Sequence, residues 1–209
     1  MCAQAGVRRI VYLGGLGDDD DALSEHLRSR RQVETLLATA GVPVTTLRAG
    51  IIVGHGGISW EITRQLVGRL PVMVTPRWVR TRTQPIAIAD VVRYLTVVAD
   101  LPDAEGRAFD IGGPELTYED MMRRVADIQG RPLVLLPVPL LSPNLSSMWL
   151  SLVTDVDAAT GRSLVASMNN EVVVREHDIR DLVPLERMDY DDAVLAALGE
   201  RAKARRDAA

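Results

Sequence analysis

The chain has 209 residues, 47% of them hydrophobic, enough to bury the core of one domain with a small appendage. The formal net charge of −4 argues against nucleic acid or an anionic membrane surface as a partner. The single cysteine, Cys2, excludes an internal disulfide framework, and no apolar run reaches the roughly 18 residues of a membrane span. Because the first residues also lack the apolar segment of a signal peptide, we expect a cytoplasmic protein that acts on a small molecule.

The beginning of the chain predicts a βαβ unit. Residues 7–13 and 44–52 are apolar enough for buried strands, and an amphipathic helix with Ser24 as its N-cap is predicted over 24–40. Only six residues precede the first of these strands. We therefore expect that the opening strand and glycine-rich turn that hold a dinucleotide are absent, and that the chain is the second half of a nucleotide-binding domain.

Helices and short extended segments continue to alternate as far as residue 138. Three more helices are predicted there, over 58–70, 90–100 and 117–130, with Asp90 and Thr117 as N-caps. Extended segments are predicted over 83–88, 107–111 and 133–138, and residues 71–76 are a short apolar segment between prolines. Beyond Pro143 the pattern changes to helices and one β-branched stretch, predicted over 148–153, 161–168, 172–175 and 189–206. This alternation predicts an α/β fold with a mainly parallel sheet and helices on both faces.

Several local motifs have two interpretations each. The run 54–59, Gly-His-Gly-Gly-Ile-Ser, resembles a dinucleotide fingerprint, but Ser59 takes the place of its third glycine, which favours a tight turn. The aspartates at 18–21 form either a solvated loop or a cation site. His26, Arg30 and Glu34 share one helical face, where the simplest interpretation is an exposed Arg30–Glu34 ion pair. Trp60 and Trp78 are candidates for a pocket or for the core.

Several separated motifs carry a family resemblance. They are the run from Val11 to Gly17, the segments 23–30 and 41–54, the stretch 84–92 around Asp90, and residues 109–122 followed by Gly-Arg-Pro at 130–132. Together, over roughly residues 7–140, they resemble the extended and atypical short-chain dehydrogenase/reductases, nearest to the NmrA-like and epimerase-like branch. The resemblance implies an incomplete Rossmann-like domain over 1–140, and we assign 141–209 to a small C-terminal α+β cap or arm.

The resemblance also implies site residues. The catalytic serine or threonine of the family falls on Gly14 or Gly15, its tyrosine on His26 and its lysine on Arg30, so that all three positions depart from the pattern. Arginine can still bind a ribose hydroxyl, whereas a histidine beside a cation is a poor acid near neutral pH. We expect His26 and Arg30 to be the catalytic candidates. The residues expected near the cofactor are Gly14, Gly15, Arg30, Arg48, Ala49, Gly50 and Ile51, although Arg48 is equally suited to pair with a carboxylate.

Three functions remain open from the sequence. In the first, the complete family protein binds NAD or NADP, while this chain alone binds the cofactor weakly or not at all. In the second, the chain is an active NAD(P)H-dependent oxidoreductase or epimerase that uses His26 and Arg30 or a complementing chain. In the third, it is a non-enzymatic interaction module that self-associates through the exposed sheet edge of its first strand. Histidine spacing gives no indication of a metal site.

Overall fold

The structure is a computed structural model that describes residues 3–18, 23–138, 153–155 and 158–208. Its strands are β1 (Ile10–Gly15), β2 (Val44–Ala49), β3 (Ile52–Val53), β4 (Val72–Thr75), β5 (Arg82–Thr83), β6 (Ile86–Ala87), β7 (Ala108–Ile111), β8 (Leu116–Thr117) and β9 (Val134–Pro137). Its helices are α1 (Glu25–Ala38), α2 (Ile58–Arg69), α3 (Ile88–Asp100), α4 (Tyr118–Ile128), α5 (Ala158–Ser167), α6 (Asp178–Leu182) and α7 (Tyr190–Asp207).

The central sheet is parallel and has the strand order β1-β2-β7. Its register places Gly14 of β1 opposite Arg48 of β2, and Arg48 opposite Asp110 of β7. Two further pairs, β3 with β6 and β4 with β9, are also parallel, and only β5 with β8 is antiparallel among the paired strands described. The predicted α/β fold with a mainly parallel sheet is therefore confirmed. Among the described residues, β1 pairs on one side alone and is an edge strand.

Two large apolar clusters form most of the core. One joins β2 and β7 to α3 and α6 through residues such as Leu47, Val91, Tyr94, Phe109 and Ile179. The other joins α2, α4 and α7 through residues such as Trp60, Leu66, Val125, Tyr190 and Val194. Helix α7 thus shares its core with helices of the first 140 residues. Trp60 is 1% exposed, which confirms its interpretation as a core residue.

The bounds of α1, α2, α3, α4 and α7 are met within two residues, whereas α5 begins three residues before the predicted start at 161 and the short α6 was not predicted. Thr117 caps α4 as predicted, in a capping box with Asp120. The prediction of Asp90 as an N-cap was wrong, because α3 starts at Ile88 after the cap residue Ala87. The buried Asp90 carboxylate instead accepts a hydrogen bond from the backbone N–H of Met188 at 2.8 Å. The carboxylate oxygen that could have capped the helix is therefore hydrogen-bonded to a residue distant in the sequence.

The predicted start of the first strand and the helix predicted over 148–153 have different outcomes. Strand β1 begins at Ile10 and not at residue 7, since Val7 and Arg8 are exposed. The helix predicted over 148–153 lies, except for its last residue, outside the described residues. Within the described part of the chain, no helix is long and apolar enough to cross a membrane.

Candidate active site

The candidate site lies at the carboxyl ends of β1 and β2, which are adjacent. Gly15 at the end of β1 is opposite Ala49 at the end of β2. A Cβ at Gly15 would lie 3.0 Å from Cδ2 of Leu27 and 3.6 Å from Cβ of Arg30, so glycine lets α1 approach the strand end closely. In open parallel sheets, ligands bind beyond the carboxyl ends of the strands. This end of the sheet is therefore where a ligand is expected.

A small cavity of about 90 Å³ opens at this place. Five of the residues predicted for the site line it: Gly15, His26, Ala49, Gly50 and Ile51. The other three predicted residues, Gly14, Arg30 and Arg48, are not among its lining residues. The remaining surface comes from the residue after β1, from α1, α2, α4 and α5, and from the segment after α5. These lining residues are Leu16, Leu27, Ser59, Tyr118, Leu164, Ser167, Met168 and Val172.

His26 reaches the cavity from the first turn of α1. Its side chain is half-buried, and burial, followed by the charge of Arg30, lowers the pKa of the imidazole. Both causes disfavour the protonated form, so His26 is predominantly neutral at pH 7. A neutral imidazole accepts a hydrogen bond at one ring nitrogen and donates at the other. His26 can thus orient a polar group or act as a base, but it is a weak source of protons.

The charged residues beside His26 are arranged differently from the sequence prediction. The expected Arg30–Glu34 pair was wrong: Arg30 is exposed, and Glu34 is occupied by two other arginines. The Arg48 guanidinium donates to both Glu34 carboxylate oxygens, at 2.6 and 3.2 Å, and Arg31 donates at 3.1 Å. A bidentate arginine–carboxylate pair is stronger than a single contact, which explains this choice. The alternative interpretation of Arg48 as the partner of a carboxylate is confirmed.

The C-terminal part of the chain closes the cavity, a feature that local sequence patterns did not indicate. The hydroxyls of Ser24 and Ser167 share a hydrogen bond at 2.8 Å, and Asn170 Oδ1 accepts from the Ser24 backbone N–H at 3.3 Å. A Cβ on Gly50 would lie only 2.7 Å from Cγ1 of Val172. Helix α5 and the segment after it therefore pack directly on α1 and on the end of β2.

Tyr118, the first residue of α4, is a cavity residue that the prediction missed. It is 7% exposed, and its ring meets Trp78 edge-on with centroids 5.8 Å apart. Burial alone raises the pKa of its hydroxyl, and this hydroxyl makes no hydrogen bond with a described residue. The sequence signal was present, because Tyr118 follows the N-cap Thr117 and so starts a helix beside the sheet. Its contact with the cavity depends on tertiary packing.

Of the other motifs singled out in the sequence, the run 54–59 reaches this cavity through Ser59, whereas Asp18 does not line it. The turn predicted at 54–57 is confirmed by a hydrogen bond from Gly57 N–H to the carbonyl of Gly54 at 3.1 Å. Asp18 pairs with Arg175, whereas residues 19–21 lie outside the described residues. Among the residues that the structure describes, no cluster of three metal-binding side chains occurs.

Comparison with known proteins gives weak sequence similarity and strong structural similarity. No family model matches the chain. Sanguinarine reductase from Eschscholzia californica is 31% identical over 114 residues, which are 51% of this chain and 39% of that protein. An uncharacterised chloroplastic protein of Arabidopsis thaliana is 31% identical over 123 residues, 54% of this chain and 35% of the relative. The chain spans less than half the length of both curated relatives.

Solved structures match over nearly the whole chain. The NADPH-dependent quinone oxidoreductase QOR2 of Escherichia coli, solved with NADPH, has a TM-score of 0.73 at 17% identity. The match covers 93% of this chain and 67% of the QOR2 chain. The fold is that of NAD(P)-binding reductases and epimerases. A nucleoside-diphosphate-sugar epimerase from Staphylococcus aureus has a TM-score of 0.70 at 15% identity over 92% of this chain and 66% of its own. The resemblance inferred from the motifs is confirmed at this level, and sanguinarine reductase is a distant homologue.

A dinucleotide fits the described residues only in part. The cavity of about 90 Å³ is well below the roughly 300–1,000 Å³ of ordinary ligand pockets. Beside the free edge of β1, no strand followed by a glycine-rich turn is present in the described part of the chain. The described residues therefore offer no cradle for the diphosphate of such a cofactor.

Proposed function

We propose that this chain carries the ring-facing and substrate-facing part of an NAD(P)H-dependent reductase or epimerase site, and that alone it binds the cofactor weakly or not at all. The observation that carries the proposal is the cavity at the adjacent carboxyl ends of β1 and β2, where Gly15, His26 and Gly50 meet. The small volume of this cavity and the open edge of β1 support weak cofactor binding.

The residues divide into four roles in this proposal. Gly14, Gly15, Ala49, Gly50 and Ile51 form the backbone surface beside which the cofactor ring would lie. Arg30, which is exposed and permanently charged, would bind a ribose hydroxyl. His26 would orient the substrate or remove a proton from it, because its neutral form predominates at pH 7. Arg48 would support the site indirectly by holding Glu34 of α1 against β2.

Cofactor titration tests the proposal directly. The 209-residue chain is titrated with NADPH and with NADH, and binding is followed by calorimetry and by nicotinamide fluorescence. We expect no saturation at micromolar cofactor, since the structure offers no diphosphate cradle among the described residues. Micromolar binding of either cofactor would contradict the proposed weak binding and would favour the active oxidoreductase or epimerase.

That second enzymatic function has its own test. If the chain turns over a substrate with NAD(P)H, alone or with a complementing chain, His26→Ala should lower the turnover number by about 10²-fold or more, as general base catalysis contributes. The matched control is His177→Ala, since His177 is exposed and lies at the start of α6. Equal turnover in the two variants would remove His26 from the mechanism.

A non-enzymatic role is supported by a separate observation, the unpaired side of β1. Backbone groups on an open strand edge pair readily with another chain. In this alternative the chain self-associates through β1, and its sedimentation coefficient rises with concentration. A monodisperse monomer across the concentration range would exclude it.

A further inference from the structure

Residues 171–175, Glu-Val-Val-Val-Arg, cross the carboxyl end of the central sheet between α5 and α6, and we call them the strap. Val172 of the strap forms an isolated parallel bridge with Thr83 of β5. The Val172 N–H donates to the carbonyl of Arg82 at 3.0 Å, and the Val172 carbonyl accepts from the N–H of Gln84 at 3.1 Å. These hydrogen bonds hold the strap beside β5.

The strap occupies the surface on which the cofactor ring is proposed to lie. A Cβ on Gly50 would lie 2.7 Å from Cγ1 of Val172, and one on Gly112 would lie 2.9 Å from Cγ2 of Val174. The two valines thus contact the glycines that directly follow β2 and β7, at the end of the sheet where ligands of open parallel sheets bind. The cavity left beside Val172 has only about 90 Å³, against roughly 300–1,000 Å³ for ordinary ligand pockets. The strap therefore fills space that a ligand requires.

A buried hydroxyl beside the strap lacks a hydrogen bond. Thr83 is 0% exposed, and its Oγ1 has no hydrogen-bond partner among the described residues. A Cβ on Gly50 would lie 3.6 Å from this oxygen, so the hydroxyl lies beside the surface that Val172 covers. An unpaired buried hydroxyl loses its hydration without compensation. The position of the strap is therefore unfavourable for Thr83, and movement of the strap would open this hydroxyl to a ligand or to water.

The strap has a small apolar contact and surface ion pairs at its ends. Its two buried valines form with Leu16 a cluster of three residues, which is separate from the two large clusters of the core. Glu171 pairs with Arg82, and Arg175 pairs with Asp18. Ion pairs at the surface contribute little to stability, and segments with few buried contacts open locally before the whole chain unfolds. The strap is thus a segment that can open locally.

We propose that the strap is an autoinhibitory element, which covers the ring-facing surface at Gly50 and must move away from β5 before a ligand binds there. The inference rests on the proposed function for what this surface binds, and it adds how access to the surface is controlled. Val172 and the ligand compete for the same space, so the ligand binds the open state alone. A ligand of this kind shifts the chain towards the open state, and a change that loosens the strap raises the apparent affinity.

Hydrogen exchange with a bound probe tests the competition. The probe is nicotinamide, the ring part of the cofactor, because it needs no diphosphate cradle. It is titrated into the isotope-labelled full chain, and its dissociation constant is taken from NMR shifts. Exchange is followed at the amides of Val172 and Val174, which donate to the Arg82 carbonyl and to Oε1 of Gln84. We expect saturating nicotinamide to speed exchange at both amides, since the bound state has an open strap. Slower or unchanged exchange at saturation would overturn the inference.

A substitution at the end of the strap tests the same inference from outside the covered surface. The Glu171 carboxylate accepts two hydrogen bonds from the Arg82 guanidinium, at 2.9 and 2.8 Å. We expect Glu171→Gln to bind nicotinamide about 1.5- to 5-fold more tightly, the factor by which loss of a surface ion pair favours opening. The matched control is Glu115→Gln, because Glu115 also accepts from Arg82, at 3.1 Å, but lies outside the strap. It should bind nicotinamide as the unmodified chain does.

Equal affinities of Glu171→Gln and Glu115→Gln for nicotinamide, or no saturable binding of nicotinamide by Glu171→Gln, would also overturn the inference. The proposed function is tested by a different measurement, the titration of the unmodified chain with NADPH and NADH. Micromolar binding there would contradict the proposed weak binding of the cofactor, whereas the role of the strap is decided by the two variants and by amide exchange. Each proposal can therefore fail alone.

Discussion

Replacing Gln84 by leucine should detach the segment that closes the candidate cavity. Gln84 is 7% exposed, and its side-chain amide joins two other parts of the chain. Its Nε2 donates to the carbonyl of Gly113 at 3.2 Å, and its Oε1 accepts from the backbone N–H of Val174. Its backbone N–H also donates to the carbonyl of Val172 at 3.1 Å. Gln84 thus positions the segment whose Val172 lines the cavity.

Leucine has nearly the volume of glutamine but no polar atoms, so Gln84→Leu leaves the Gly113 carbonyl and the Val174 N–H buried and unpaired. Each such group costs about 1–3 kcal/mol, and the two together give an expected loss of about 2–6 kcal/mol in the free energy of unfolding. Urea denaturation measures this loss. The control is Gln32→Leu on the exposed face of α1, where we expect a change within about 0.5 kcal/mol. A similarly small loss in Gln84→Leu would refute the assigned role.

Two other predictions concern the same region and the cap of α4. Gly50→Ala should destabilise the chain by about 1–3 kcal/mol, because its Cβ would lie 2.7 Å from Val172 Cγ1. Adding Val172→Ala should recover part of that loss. Thermal unfolding of the single and double variants measures this recovery, and strictly additive changes in stability would contradict the importance of the contact. Hydrogen bonds from the Thr117 side chain and backbone lower the pKa of Asp120, so its stabilising contribution is present above its unfolded pKa and disappears as the pH falls through the lower folded value. The stability lost in Asp120→Asn should therefore be larger at pH 7 than at pH 2, and a difference independent of pH would contradict this assignment.

The parts of the fold that the sequence predicted are those set by neighbouring residues. The apolar spacing of α1 and the capping box at Thr117 and Asp120 depend on residues within one helix, so the printed sequence contains the whole signal. Asp90 has the same local signature as a cap, yet its carboxylate binds Met188, 98 residues further along the chain. Nothing in a short window distinguishes a carboxylate that caps a helix from one that a distant segment uses.

Part of the candidate site was predicted through the family resemblance of the motifs. Gly15, His26, Ala49, Gly50 and Ile51 lie in or beside β1, α1 and β2, and the order of these elements places them at one end of the sheet. Tyr118 and Val172 reach the cavity from later segments, and their contribution depends on how α4 and the region after α5 pack. The pairing of Arg48 with Glu34 likewise joins β2 to α1 and overrides the expected pair within the helix.

The two glycines at the expected serine position have a packing reason as well as a chemical consequence. A Cβ at Gly14 would lie 3.1 Å from the Tyr12 ring, and one at Gly15 would lie 3.0 Å from Leu27. Both distances are tighter than ordinary contacts, so a serine at Gly14 would displace the Tyr12 ring and a serine at Gly15 would displace the Leu27 side chain of α1. The loss of the hydroxyl and the close approach of α1 are therefore linked. A hydroxyl restored at Gly15 would therefore require a shift of the Leu27 side chain, in the same helix turn that carries His26.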